Sequence, residues 1–335
     1  MSLLSFFKPL AYISLPVFLL RTASKASPLA RYYVRLGIYL STVGICSVWG
    51  VVASIGMSLI GKRYDIKWFV ARSFYLLAGR LLDITIEVEG EEYLSQRPSV
   101  MLGNHLSMLD LLYLGRIFPK QATMTAKKEL QWMPLLGQFM KLAGVIFIDR
   151  KNNARAKQSI AQAGERMKER KVSIWMFPEG TRSLSEKVDL RTFKKGAFHL
   201  AVQAGVPITP VVCENYYRLY HKGCFESGRI KIKVLPPIPT VGLTAADVTE
   251  LSIRVRAQML DALRELSGEV VEAPPADVKE NVSDSSSEAS SVPASLSIDT
   301  STHLISSRAS NSGFTTDDDD GMVLVDRPET PQDAP

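Results

Sequence analysis

The chain has 335 residues with 40 Lys/Arg, 34 Asp/Glu, 4 His and 3 Cys, a net charge of +6, and its length suits one large domain with extensions. Cys46, Cys213 and Cys224 stand at no metal-like spacing from one another, which excludes a disulfide framework, argues against a structural zinc centre and suits a reducing compartment. The charge is uneven: residues 269–335 hold 3 basic and 14 acidic side chains against 37 and 20 in the rest, and a body this basic suits anionic lipid, phosphate-bearing substrates or nucleic acid.

Leu3 to Leu20 is apolar apart from Lys8 and is broken by Pro9 and Pro16. It reads as a second membrane segment or an interfacial one, since no small-x-small cleavage site follows it closely. Leu36 to Ile60 runs 25 residues without a charge, and about 20 suffice to cross a bilayer core. This predicts a transmembrane or re-entrant helix over 36–60. Arg31 and Arg35 precede it and Lys62, Arg63 and Lys67 follow, so flanking charge sets no orientation. Residues 64–82 place Arg72 and Arg80 among aromatic residues and leucines. That pattern predicts an amphipathic helix, lying on the membrane surface or facing a core. Residues 1–83 together read as a membrane-anchoring region.

From Ile84 the pattern alternates. Strands are expected at 84–90, 99–104, 144–149, 172–177, 207–212 and 229–235, with helices at 107–117, 154–168, 195–203 and 245–266. This predicts an α/β catalytic domain over 84–268, with a mixed, largely parallel sheet and flanking helices. Past Gly268 the composition turns to Ser, Pro and acid, with "DDDD" at 317–320. Too little apolar surface remains there to offset chain entropy, so 269–335 reads as a disordered acidic tail.

Four stretches carry candidate chemistry. "NHLSMLD" (104–110) puts His105 in a strand-to-helix turn, from which Asp110 can reach back to the imidazole. A carboxylate on one ring nitrogen leaves the other as a general base. The plain alternative is a hydrogen-bonded turn histidine beside a helix-start acid. "FPEGTRS" (177–183) offers a turn with free backbone amides, Glu179, Gly180, Thr181 and Arg182, a plausible anion cradle. "GVIFIDR" (144–150) ends on Asp149 and Arg150, the latter either a phosphate ligand or half of a surface ion pair. "TAKKEL" (125–130) offers Lys127 and Lys128, with a solvated helix start as the plain reading.

These stretches, with "VPITPVV" (206–212) and "FKKGAFHLA" (193–201), resemble in sequence and order the motifs of the 1-acyl-sn-glycerol-3-phosphate (lysophosphatidic acid) acyltransferases, most closely fungal members. The resemblance spans about residues 36–265 and implies the glycerolipid acyltransferase fold. It implies that His105 is the general base for the sn-2 hydroxyl and that Asp110 orients it. Lys127, Arg150, Glu179, Gly180, Thr181 and Arg182 would then bind or shape the acceptor. Acyl-CoA is the implied co-substrate, with no metal or other cofactor. The partners implied are lysophosphatidic acid and the lipid bilayer, and the place is the endoplasmic reticulum membrane with the catalytic domain facing the cytosol.

Other readings differ in kind. A covalent hydrolase would use Cys213 or Ser183, but there is no G-x-S-x-G turn. Glycerol 3-phosphate or another lysophospholipid could replace the acceptor, and an inactive membrane scaffold would not need His105, Asp110 and Glu179. Nucleic-acid binding lacks a stacking-aromatic motif. No protein partner is legible.

Overall fold

The computed structural model describes Thr22, Ser24, Lys25 and residues 27–62, 65–149 and 152–268. The expected segment Leu3–Leu20, the acidic tail from residue 269 and Arg150 lie outside the described residues.

The first long helix, α1, runs Pro28–Leu59 and so begins well before the charge-free stretch. Ser27 starts it: its hydroxyl accepts the Ala30 N–H at 3.0 Å, and Pro28 takes the first helical position, where a missing N–H costs nothing. The helix is long and apolar enough to cross a membrane. One stripe of it, Tyr39, Thr42, Cys46, Gly50 and Ala53, is nevertheless buried against protein. Leu40, Ile45, Val48, Trp49, Val52 and Ile55 face outward. Three of the cations expected to flank a span serve internal contacts. Arg31 pairs with Glu226 at 2.8 Å, Arg35 lies over the Phe225 ring, and buried Lys67 donates to the Ala143 carbonyl at 2.5 Å.

Helix α2, Ile66–Leu82, buries Ile66, Val70, Phe74, Ala78 and Leu82. Their four-residue spacing makes one stripe, packed on α1. The core-facing alternative applies to this stripe, while Phe69, Leu76, Leu77 and Leu81 on the remainder of the helix are exposed.

Seven strands form one sheet: β1 (Ile84–Glu89), β2 (Val100–Gly103), β3 (Ala122–Lys127), β4 (Ile146–Ile148), β5 (Ser173–Met176), β6 (Ile208–Cys213) and, after a small ribbon of β7 (Tyr220–His221) and β8 (Cys224–Phe225), β9 (Gly228–Val234). Their order is β1-β9-β6-β2-β5-β3-β4. Every neighbouring pair is parallel except β6 with β9. The mixed, largely parallel sheet is the one expected. β2, β5 and β6 are buried on both faces, so they appear as mostly apolar runs, interrupted only by Ser173 and Thr209. β1 sits at an edge and alternates.

Two cores lie on opposite faces of the sheet. Met101, Trp175, Val211 and Ile230 face α1, α2 and α3 (Asp110–Ile117). Val100, Leu102, Ile174, Met176 and Val212 face α5 (Asn153–Arg170), α6 (Gly196–Ala204) and α7 (Val248–Leu266). A short α4 (Leu136–Leu142) packs beside α1, where the Phe139 ring fills the space left by Gly50: a Cβ there would come within 2.5 Å of it. Lys127 closes a strand and Lys128 opens a 3₁₀ turn, in place of the helix start.

Candidate active site

β2, β3, β5 and β6 all run the same way, so their carboxyl ends share one edge of the sheet. Open α/β sheets bind ligands at that edge. The chain leaves β2 through Asn104 and His105. The Asn104 amide carries the β2–β6 ladder one residue further: its Oδ1 accepts the Cys213 N–H at 2.8 Å and its Nδ2 donates to the Cys213 carbonyl at 2.9 Å. Ser107 then tightens the turn, its Oγ accepting the Leu109 N–H at 3.0 Å.

Asp110 opens α3 and turns back into this loop. Its Oδ2 lies 2.5 Å from His105 Nδ1 and accepts from the Leu106 N–H at 3.0 Å and the Ser107 N–H at 3.3 Å. An ionised carboxylate only accepts, so Nδ1 carries the proton and Nε2 is left with its lone pair. The imidazole stacks on Phe177, centroids 4.0 Å apart and planes 16° from parallel. Asp110 is buried, and 16 % of the His105 side chain is exposed. The pair is therefore shielded from water on the carboxylate side and open on the ring side.

Glu179 is buried and faces the protein interior. Its Oε1 accepts the His105 backbone N–H at 2.7 Å and its Oε2 the Arg191 N–H at 3.2 Å. Burial pushes its carboxyl above the usual range, against the pull of these two bonds. In return the loop after β5 is held to the histidine loop by Ser183 N–H donating to the His105 carbonyl at 2.9 Å. Gly180 turns with φ of 70°, and a Cβ there would meet the Lys194 side chain at 2.8 Å. Thr181 and Arg182 are exposed. Burial raises Tyr220 to about 12 while Arg182 pulls the other way, so that guanidinium acts beside the β7–β8 ribbon. Lys127 lies two strands from β2, roughly 10 Å, and pairs with Glu129 at 3.5 Å. Lys128 pairs with Asp149 at 2.9 Å.

The acyltransferase family profile matches residues 85–214. The chain is 42 % identical over 237 residues to the 1-acyl-sn-glycerol-3-phosphate acyltransferase of Saccharomyces cerevisiae, covering 70 % of this chain and 78 % of that one. It is 38 % identical over 253 residues to human 1-acyl-sn-glycerol-3-phosphate acyltransferase alpha, covering 75 % and 87 %. The chain belongs to the 1-acyl-sn-glycerol-3-phosphate acyltransferase family. The fold agrees with the crystal structure of the 1-acyl-sn-glycerophosphate acyltransferase PlsC from Thermotoga maritima, at a TM-score of 0.56 and 24 % identity over 70 % of this chain and 97 % of that one.

In this member of the acyltransferase family, His105 and Asp110 meet, and Glu179 holds the His105 backbone. Gly180, Thr181 and Arg182 follow β5 at the same edge as Lys127. Among the described residues there is no cluster of His, Cys, Asp and Glu that could hold a metal. Cys213 is buried and its thiol is pushed well up by burial, which removes it as a nucleophile.

Three side chains at this edge escaped the sequence reading. Asn104 was seen only as part of a motif. Tyr216 donates to Asp110 Oδ1 in a short bond and lies 2.8 Å from Ser107 Oγ. Tyr39 on α1 donates to the Met108 carbonyl at 2.6 Å. A tyrosine within an apolar helix, whose hydroxyl must find a partner when buried, is the one signal that pointed inward.

Proposed function

We propose that this protein transfers an acyl group from acyl-CoA to the sn-2 hydroxyl of 1-acyl-sn-glycerol 3-phosphate, releasing phosphatidic acid and CoA for glycerophospholipid synthesis. The observation that carries this reading is the His105–Asp110 pair, with Nδ1 committed to the carboxylate and the ring 16 % exposed. Nε2 takes the proton as the hydroxyl oxygen attacks the thioester carbonyl. The C–S bond then breaks, and the departing thiolate takes the proton from the imidazolium. Asp110 stabilises that imidazolium, and Phe177 and Glu179 keep the ring and its backbone in place. No covalent acyl-enzyme is required.

Arg182 and Lys127 supply positive charge for the acceptor phosphate, and Arg150 joins them by its place in the family motif. The exposed apolar sides of α1 and α2 fit a bilayer, where both acyl chains reside, and a catalyst held there gains effective concentration. We propose the endoplasmic reticulum membrane as the setting, with the site facing the cytosolic acyl-CoA.

The test is CoA release by membranes containing the wild-type chain or His105→Ala, with lysophosphatidic acid, glycerol 3-phosphate or other lysophospholipids as acceptor. Release should depend on lysophosphatidic acid and drop about 10²–10⁴-fold in the variant. Near-normal turnover by His105→Ala would refute the mechanism. Preference for glycerol 3-phosphate would refute the acceptor.

A further inference from the structure

Asp110 has two oxygens with different duties. Oδ2 serves His105 Nδ1 and two backbone N–H groups. The partner of Oδ1 among the described residues is the hydroxyl of Tyr216. That ring is fully buried, and its oxygen also touches Ser107 Oγ at 2.8 Å. The direction of this chain is fixed by proton counting. Ser107 Oγ accepts the Leu109 N–H, so its own proton is free for the Tyr216 oxygen, and the single phenolic proton goes to the carboxylate, which can only accept. Burial and the nearby carboxylate hold the phenol protonated.

The backbone around Tyr216 is fixed on both sides. Asn215 Nδ2 shares its two protons among the carbonyls of Ser185, Glu186 and Lys187, which lie at 3.2, 2.8 and 3.1 Å in the loop that follows the "FPEGTRS" turn. Leu219 N–H donates to the Tyr216 carbonyl at 2.8 Å. A hydroxyl held this rigidly needs no rearrangement when charge develops on the imidazole.

We infer that Tyr216 is a positioning residue of the reaction: its hydroxyl, seconded by Ser107, holds the Asp110 carboxylate so that Oδ2 stays on His105 Nδ1. This role rests on the acyl-transfer reading above. It acts through Asp110 and touches no substrate. The donor also spreads the carboxylate charge, so its loss makes the His105–Asp110 pair bind a proton more tightly. The acid limb of the rate profile then moves to higher pH.

The test uses the full chain in lipid–detergent micelles and compares wild type, Tyr216→Phe, Ser107→Ala and His105→Ala. The phenylalanine keeps the buried ring and removes one oxygen. We expect kcat to fall about 10- to 100-fold, the worth of a hydrogen bond to a charged group. Both KM values should stay within about twofold, and the acid limb should rise in pH. Ser107→Ala should shift the limb in the same direction by less, and it carries the test by itself if the phenylalanine variant does not fold. A purely structural role would lower thermal stability and leave the pH profile of the remaining activity unchanged. Wild-type kcat and pH profile in Tyr216→Phe and Ser107→Ala, beside an inactive His105→Ala, overturn the inference alone. An active His105→Ala overturns the underlying reading as well.

Discussion

Replacing Asp110 by Asn isolates the charge of the pair from its geometry. The amide oxygen can take the place of Oδ2 and accept from His105 Nδ1 and from the Leu106 and Ser107 N–H groups, now at 2.5, 3.0 and 3.3 Å. The amide nitrogen then faces Tyr216, whose hydroxyl turns its proton to Ser107 and accepts instead. The histidine tautomer is therefore preserved, while one amide N–H and the Ser107 hydroxyl proton lose an acceptor, so stability should fall by about 1–3 kcal/mol. What disappears is the attraction between carboxylate and imidazolium. For unit charges about 4 Å apart at an effective dielectric near 20 this is worth about 4 kcal/mol, or roughly a 10³-fold fall in kcat. Asp110 is only 3 % exposed as a side chain, so solvent screens little of this. The assay is thiol release from acyl-CoA at saturating acceptor, paired with thermal unfolding of the same preparation. A kcat within tenfold of wild type, or a loss of turnover matched by unfolding, would refute the reasoning.

Asn104→Ala leaves the buried N–H and carbonyl of Cys213 without partners, at about 2–4 kcal/mol, and the melting temperature should fall by roughly 5–15 °C; an unchanged melt would show that water replaces the amide. Glu179 has a folded-state pKa raised by burial above its ordinary 4.5, so the folded chain binds that proton more tightly than the unfolded one. Stability from this group is highest at low pH and is lost as pH rises from about 4.5 through the folded value. The melting difference, wild type minus Glu179→Gln, should decline over that window, and a flat or rising difference contradicts it. Arg182→Ala and Arg150→Ala should each raise the acceptor KM by about 10- to 100-fold through a lost charge-assisted bond to phosphate, with the acyl-CoA KM little moved; the opposite split would reassign them. The single N-x-[ST] sequon, Asn281-Val-Ser283, should carry no glycan in cells if the site faces the cytosol, and an endoglycosidase-sensitive shift lost in Asn281→Gln would place it in the lumen.

The sheet centre was legible because it is buried on both faces. β2, β5 and β6 read as apolar runs that hardly admit another assignment. β3 was not legible: "ATMTAK" alternates weakly and ends in Lys127, with a second lysine directly after it, so its strand character comes from pairing with β4 and β5. α4 is seven residues long, follows Pro134 and begins after Leu135 at φ of 60°, a start no local signal announces. His105 and Asp110 lie five positions apart and declared themselves by spacing. Tyr216 reaches Asp110 across 106 positions, a contact that only the finished sheet creates. Glu179 was visible as a conspicuous acid within its turn, but the His105 and Arg191 N–H groups that its carboxylate accepts are brought to it only by the fold.

The hydrogen bond from Tyr39 to the Met108 carbonyl joins α1 to the loop between His105 and Asp110. If α1 is the membrane anchor proposed above, this bond makes it a non-modular one. On that reading, an unrelated apolar helix grafted in place of residues 28–59 would still bring the chain to a bilayer. It would also strip the His105–Asp110 loop of a partner and remove the seat at Gly50 into which Phe139 fits. Chimeras therefore separate tethering from shaping: retention on the membrane with lost turnover is the result expected if the proposed anchor also supports the His105 loop.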